Sequence, residues 1–271
     1  MAKLDARGWP VHVAANAYGL LVGVRASQTS AITALRRVLP PAAEPIGAST
    51  CDITYSLLLG RSADEMHLAF DNDRQIAKGD NLDTLLETVE REMHFAVAVG
   101  ARTHLFVHAG VIGWRGSAVL LPGRTHAGKS ALVAELVRSG ASYYSDEYAV
   151  LDSAGLVHPF ARSLGVRDAS GRNRRVDPVT LGKIGRAPLP VSLVVATSHR
   201  PQATWQPRAM SRGEIVLALL ENTVAARARP RDALRILSRT AANASGLRGE
   251  RGETGPVVSQ ILGIVPEAEG V

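Results

Sequence analysis

A glycine-rich octapeptide at residues 123–130, Gly-Arg-Thr-His-Ala-Gly-Lys-Ser, constrains the fold of this chain more than any other segment. It satisfies the pattern G-x-x-x-x-G-K-[ST]. The apolar residues 116–122 precede it as a buried strand would. Residues 130–139 follow it with apolar positions at helical spacing and end at Gly140, a typical helix terminator. A strand that turns through glycines into a helix predicts a phosphate-binding loop in an α/β fold.

The pattern assigns a role in nucleotide binding to each part of the loop. Backbone N–H groups would face the phosphates, Lys129 would reach the β and γ oxygens, and Ser130 would offer its hydroxyl to Mg²⁺. The predicted nucleotide-binding residues are Gly123, Arg124, Thr125, His126, Ala127, Gly128, Lys129 and Ser130. The alternative is a glycine-containing surface turn in front of an ordinary amphipathic helix.

Length and composition describe an ordinary globular chain of one large or two small domains. The chain has 271 residues, of which 46% are apolar, enough for a substantial core. No apolar run approaches the roughly 20 residues that span a bilayer, and the first residues lead into no signal-like apolar segment. We therefore expect a cytoplasmic protein with no membrane partner. The single cysteine, Cys51, cannot form an internal disulfide and is expected to pack as a small apolar side chain.

The positive charge is concentrated in the half that carries the loop. The net charge is +6, and residues 101–271 hold 22 Lys and Arg against 13 Asp and Glu, whereas residues 1–100 hold 9 against 12. This distribution suits an anionic substrate or an acidic partner segment. Nucleic acid is disfavoured as a partner, because the arginines are spread along the chain and no basic stretch is interleaved with aromatic residues.

The residue pattern predicts two units, residues 1–98 and residues 99–271. The first is a small α+β accessory or partner-binding unit with a helix that Asp80 or Asn81 caps. Its other elements are strands within 10–26, 50–59, 66–70 and 74–78 and a helix over 27–38. The second unit has a hairpin turn at 113–116, strands at about 142–145, 148–151 and 191–197, helices over 212–223 and 230–242, and a polar loop over 167–177.

Two adjacent carboxylates, Asp146 and Glu147, are candidates for the chemistry at the loop. They follow Lys129 by one helix and one strand, which brings them back beside the loop at the end of a neighbouring strand. One carboxylate there can hold Mg²⁺, and another can accept the proton of an attacking hydroxyl. The alternative is an exposed acidic turn between two strands.

With these residues in place, the chain resembles the HPr kinase/phosphorylase family. The resemblance lies in Val-His-Ala-Gly-Val at residues 107–111, the loop at 123–130, and Ser-Asp-Glu at 145–147, which is similar to the Ala-Asp-Asp of the family. The spacing agrees as well, since His108 lies 15 residues before the first loop glycine and Asp146 lies 17 residues after the loop lysine. The resemblance covers residues 104–155 well, continues more loosely to the C-terminus, and does not include the N-terminal domain of the family.

The resemblance implies that residues 99–271 form a P-loop catalytic domain related to the nucleotide-binding part of phosphoenolpyruvate carboxykinases, with ATP and Mg²⁺ as cofactors. Asp146, His108 and Lys129 would then be catalytic. Asp146 would be the general base, His108 would lie near the transferring phosphoryl group, and Lys129 would bind the phosphates. Ser130 would ligate the metal, and Glu147 would assist with metal or geometry. The family also implies a homo-oligomer.

The chain departs from the family pattern at three places. His126 replaces a loop glycine, and Glu147 replaces the second aspartate. A downstream Glu-Ile-Arg-Gly segment is missing, so Arg162 or Arg167 would take the position of its arginine. The N-terminal unit and the second carboxylate both differ from the carbon-metabolism enzyme of the family, which makes the chain more similar to stand-alone kinases of natural-product clusters. Those enzymes phosphorylate a serine of a ribosomal peptide precursor, such as a lasso peptide precursor.

Three hypotheses follow from the sequence. The first is an ATP- and Mg²⁺-dependent kinase that transfers the γ-phosphoryl group to a serine of a peptide or protein partner. The second is a non-catalytic nucleotide-binding regulatory module. The third is a kinase of a small serine-like metabolite, in which the cationic residues 167–175 bind an acidic group of the substrate.

Overall fold

The computed structural model describes residues 4, 8–47, 50–62, 65–123, 128–167 and 173–265, without the side chains of Val166, Arg167 and Asn173. The chain divides into two compact units, Met1–Thr103 and His104–Val271. Each unit combines helices with a large sheet that has both parallel and antiparallel strand pairs, which confirms the expected α/β class. Among the described residues, no helix has both the length and the apolar composition needed to cross a membrane.

The first unit is built on a six-stranded sheet in the order β3-β1-β2-β4-β5-β6. Its strands are β1 (Val11–Ala17), β2 (Leu20–Ala26), β3 (Glu44–Ile46), β4 (Ile53–Leu58), β5 (His67–Asp71) and β6 (Arg74–Gly79). Among the described strands of this sheet, β2 and β4 are the one parallel pair. The sequence pattern misses β3, because it is three residues long and contains Pro45, which is tolerated on an edge strand.

Two helices belong to this unit, α1 (Ile32–Arg37) and α2 (Leu82–Gly100). The Asn81 side chain accepts a hydrogen bond from the Thr84 N–H at 3.0 Å, which confirms Asn81 as the cap of α2. Leu85, Val89 and Met93 recur every four residues and are buried. One face of α2 therefore enters the core, as its spacing predicts.

The second unit contains a larger sheet in the order β11-β10-β7-β8-β14-β16-β15, with β9 also paired to β7. Two further strands, β12 and β13, pair separately. The strands are β7 (Leu105–Trp114), β8 (Ser117–Pro122), β9 (Ser142–Ser145), β10 (Tyr148–Leu151), β11 (Val157–His158), β12 (Leu164–Arg167), β13 (Asn173–Val176), β14 (Val191–His199), β15 (Arg208–Ala209) and β16 (Ser245–Arg251). The predicted bounds of β9 and β10 are confirmed. Positive φ angles at Arg115 and Gly116 form the predicted hairpin turn between β7 and β8.

Helices cover both faces of this sheet. They are α3 (Lys129–Arg138), α4 (Arg212–Leu220), α5 (Pro230–Ala241) and α6 (Gly255–Ile264). Val111 of β7 packs in one apolar cluster with residues of α4 and α5, and its neighbour Ile112 packs in the other with residues of α3 and α6. Because β7 alternates in this way, His108 and Gly110 face the same side as Ile112, the side of α3.

Three strands of the sheet run in parallel and bring their carboxyl ends to one edge. The strands β8 and β16 each pair in parallel with β14. Strand β8 ends at Pro122 and α3 begins at Lys129, so Gly123 and Gly128, the described ends of the predicted phosphate loop, lie at this edge. Ligands of open α/β sheets bind at such an edge.

The loop predicted over residues 167–177 is only partly correct. Asn173–Val176 forms β13, which pairs antiparallel with β12 from Leu164↔Val176 to Arg167↔Asn173. The arginine-rich composition gives no apolar alternation, but backbone hydrogen bonds form the ladder whatever the side chains are. Residues 168–172 lie outside the described part of the chain.

Candidate active site

The central strand β7 connects the phosphate loop with the acidic pair. On one side, the Gly123 N–H donates a hydrogen bond to the His108 carbonyl at 3.2 Å. On the other side, the Ala109 N–H donates to the Glu147 carbonyl at 3.0 Å, and Tyr148 lies opposite His108 in the ladder. His108 therefore lies between the start of the loop and the acidic pair.

A β-bulge at Tyr144 determines which way the acidic pair faces. Tyr143 pairs with Ile112 and Ser145 pairs with Val111, so Tyr144 is an extra residue in β9. Tyr143 packs on the face of the sheet that α3 covers, and Tyr144 packs on the opposite face, which α4 and α5 cover. The extra residue shifts the alternation by one, so that Asp146 turns back to the side of α3 and Ser130.

Asp146 is in direct contact with the phosphate-loop helix. Its side chain accepts a hydrogen bond from the Ser130 hydroxyl, with Oγ 2.8 Å from Oδ2, and the residue is only 8% exposed. The Tyr143 hydroxyl lies 3.1 Å from Asp146 Oδ1 and 2.9 Å from the carbonyl oxygen of Arg162. These two hydroxyls fix the carboxylate in one orientation. The contact of Asp146 with Tyr143 was not predicted, since nothing in the local pattern marks that tyrosine.

Glu147 forms an ion pair with Arg162. Arg162 thus makes two contacts here. Its guanidinium pairs with the Glu147 carboxylate, and its carbonyl accepts a hydrogen bond from the Tyr143 hydroxyl. Of the two arginines that the sequence offers for the family's missing arginine, Arg162 lies at the site, whereas the side chain of Arg167 is outside the described part of the chain. The metal role of Glu147 stays a prediction.

The donors at this point suit Mg²⁺. Ser130 and Asp146 offer a hydroxyl and a carboxylate in contact, and Mg²⁺ is usually held by one or two carboxylates together with phosphate oxygens and water. In the described residues, no three His, Cys, Asp or Glu side chains form a metal-binding group. The predicted phosphate ligands Arg124, Thr125, His126 and Ala127 lie outside those residues.

Burial shifts the ionisation of the two basic side chains at the site. It lowers the pKa of Lys129 below the usual lysine value, although the charges of Asp146 and Glu147 oppose the shift. Burial and the Lys129 charge lower the pKa of His108 below 6.5. The His108 ring stacks at 4.8 Å from the Tyr148 ring. We therefore expect His108 to be neutral at neutral pH.

We expect the pKa of His108 to make the protein less stable in mild acid. Above pH 6.5 the histidine is neutral in both the folded and the unfolded state. As the pH falls below 6.5, the unfolded state takes up a proton that the folded state resists, so the free energy of unfolding falls by at most about 1.4 kcal/mol per pH unit until the lowered pKa is reached. Urea unfolding at about pH 7.5 and about pH 5.5 should show a smaller loss for His108→Asn than for the wild type. Equal losses would contradict the lowered pKa.

Gly128 has the backbone conformation and the surroundings that exclude a side chain. Its φ is +73°, and a Cβ there would lie 2.5 Å from Nη2 of Arg251. We expect Gly128→Ala to lower the free energy of unfolding by about 1–2 kcal/mol and to weaken MgATP binding by at least about tenfold, because the loop must shift. Urea unfolding and calorimetric titration measure the two effects.

Gly263→Ala is the matched control for this substitution. Gly263 lies in α6, and a Cβ there would meet nothing within 4 Å. Alanine in a helix is preferred over glycine, so this variant should bind MgATP normally and be more stable by roughly 0.5–1 kcal/mol. Normal nucleotide binding by Gly128→Ala would show that the loop does not depend on the conformation of Gly128.

A cleft opens beside the loop at the carboxyl ends of β8, β14 and β16. Its volume is about 510 Å³, within the range of small-molecule sites. The lining includes Pro122, Thr197, Ser198, Asn222, Arg248 and Glu250. The sequence does not predict this cleft, because most of its polar residues lie on separate strands and only the sheet order brings them together.

The chain matches no protein-family model and no curated protein.

Proposed function

We propose that the chain is an ATP- and Mg²⁺-dependent kinase that transfers the γ-phosphoryl group to a serine hydroxyl of a peptide or protein. In this proposal His104–Val271 is a P-loop catalytic unit of the HPr kinase type. The observation that carries it is the 2.8 Å hydrogen bond between Ser130 and Asp146. Phosphoryl transfer depends on positioning and charge neutralisation, and this contact brings a metal-binding hydroxyl and a buried carboxylate to the end of the phosphate loop.

The nucleotide would be held by the loop and by α3. The loop amides and the N-terminus of α3 would bind the phosphates, and Lys129 would extend to the β and γ oxygens. Ser130 would ligate Mg²⁺ together with Glu147, which leaves Asp146 as the general base. When bound, Mg²⁺ neutralises phosphate charge. The lowered pKa of Lys129 reflects a site in which a cation lacks bulk water, the setting in which bound phosphates interact strongly with it.

In this proposal Asp146 accepts the proton of the acceptor hydroxyl. Each carboxylate oxygen can accept more than one hydrogen bond, so the contacts from Ser130 and Tyr143 leave acceptor positions for a substrate hydroxyl. Neutral His108 lies on the same side of β7 and can hydrogen-bond to a phosphoryl oxygen. The ion pair of Glu147 with Arg162 fixes the segment that carries Asp146.

The test is transfer of label from γ-labelled ATP in the presence of Mg²⁺. The acceptors are the small peptides encoded beside the gene, the same peptides with serine replaced by alanine, and free serine. We expect label on a peptide serine and none on the alanine version. Label on free serine alone would indicate a metabolite kinase. Tight ATP binding without label on any acceptor would contradict the kinase proposal and favour a regulatory module.

A further inference from the structure

Arg251, at the end of the last strand β16, contacts the phosphate loop from inside the fold. It is 2% exposed, and its Nη2 donates a hydrogen bond to the Gly128 carbonyl at 2.9 Å, across 123 residues of sequence. Arginine is rarely buried to this extent unless its guanidinium has a specific partner. The contact is therefore a candidate for a role in the site.

Because of peptide geometry, the hydrogen bond to the Gly128 carbonyl also fixes the orientation of the next N–H group. The Gly128 carbonyl also accepts the first helical hydrogen bond of α3, from the Leu132 N–H at 3.3 Å. In a planar trans peptide the carbonyl and the following N–H point in opposite directions. Fixing the Gly128 oxygen therefore fixes the Lys129 N–H, which points out of the N-terminus of α3 to where phosphates bind at a helix end.

The guanidinium adds charge to this arrangement. Burial lowers the pKa of Arg251 below the usual arginine value, but arginine stays protonated at neutral pH. A charged donor polarises the carbonyl that it binds and increases the partial positive charge at the start of the helix.

The backbone around Arg251 is hydrogen-bonded to the residues just after β14, which fixes the point from which its side chain extends. Arg251 lies opposite His199 in the parallel pairing of β14 and β16. The Arg200 N–H donates to the Arg251 carbonyl at 2.9 Å, and the Gly252 N–H donates to the Ala203 carbonyl at 2.9 Å.

We propose that Arg251 is a positioning residue for nucleotide phosphates. It orients the first peptide of α3 and thereby couples the end of β16 to the phosphate loop. This inference rests on the proposed function only in requiring that the loop binds a nucleotide, and not on the identity of the acceptor.

The test compares MgADP and AMP binding to Arg251→Met, Arg251→Lys and the wild type by calorimetric titration, with urea unfolding of each protein alone. We expect Arg251→Met to weaken MgADP binding by about 10- to 100-fold and AMP binding much less, because AMP has no β-phosphate for the loop. Arg251→Lys, which keeps the charge and one donor, should lie between. Arg200→Met is the control, since Arg200 is exposed and pairs with Glu250; it should bind both nucleotides normally.

The outcomes separate this inference from the proposed function. If the wild type binds MgADP and Arg251→Met binds it equally, or loses MgADP and AMP affinity to the same extent, the positioning role is wrong and the kinase proposal stands. If the wild type binds no nucleotide, both fail. Should Arg251→Met not fold, the ratio of MgADP to AMP affinity in Arg251→Lys decides, and an unchanged ratio overturns the positioning role.

Discussion

Asp146→Asn is expected to lower kcat of phosphoryl transfer by about 10³-fold while leaving nucleotide binding nearly unchanged. The amide keeps the shape of the carboxylate but only one oxygen, whereas Ser130 and Tyr143 contact separate oxygens of Asp146, so one of these hydroxyls has to accept a hydrogen bond from the new NH₂ group. It cannot accept a proton and it loses the negative charge. Transfer to the acceptor peptide and calorimetric titration with ADP in the absence of Mg²⁺ measure the two properties separately.

Glu135→Gln is the matched control for this prediction. Glu135 lies on α3, the same helix as Ser130, but it is exposed and pairs with Arg138. Removing its charge should change neither kcat nor ADP affinity. If Asp146→Asn transfers phosphate at the wild-type rate, Asp146 is not the general base. If it loses ADP affinity as well, the carboxylate supports the loop and not the proton transfer.

Lys129→Met is expected to weaken MgATP binding by about 100-fold or more and to remove detectable transfer, because the phosphates lose a buried positive charge. The free energy of unfolding of the protein without nucleotide should change much less. Since burial lowers the pKa of Lys129, its charged form is unfavourable in the empty site. Methionine fills a similar volume without that cost, so the free energy of unfolding should fall by no more than about 1 kcal/mol.

Thermal unfolding with and without MgATP checks this second prediction. A ligand that binds only the folded state raises the stability by RT ln(1 + [L]/Kd), so the wild type should melt at a higher temperature with MgATP and Lys129→Met should not. Glu135→Gln again serves as the control and should be stabilised like the wild type. Normal stabilisation of Lys129→Met would mean that Lys129 does not contact the phosphates.

The strand, loop and helix around residues 123–130 could be predicted because the signal is local. An apolar run, glycines and helical spacing follow one another, and the structure has β8 and α3 at those places. The bounds of β9 and β10 were predictable for the same reason, since Gly140 and the acidic pair delimit the short segments Ser-Tyr-Tyr-Ser and Tyr-Ala-Val-Leu.

What the sequence could not predict depends on register between distant segments. The contact of Arg251 with Gly128 requires β16 to run parallel to β14 in one register, and no local pattern encodes that pairing. The contact of Tyr143 with Asp146 depends on a shift in the pairing of β9 with β7. The pairing of β12 with β13 arises from backbone hydrogen bonds in a segment whose side chains are mostly polar.

The bulge at Tyr144 makes the orientation of the acidic pair depend on the pairing of β9 with β7 as well as on the sequence. Deleting Tyr144 would leave Tyr143 and Ser145 opposite Ile112 and Val111, the partners that they already have, so Asp146 would stay on the side of Ser130. A β9 of unchanged length that paired without the bulge would instead turn Asp146 away from Ser130 and Glu147 toward it. A related chain could therefore lose one residue at this position and still keep the orientation of both carboxylates.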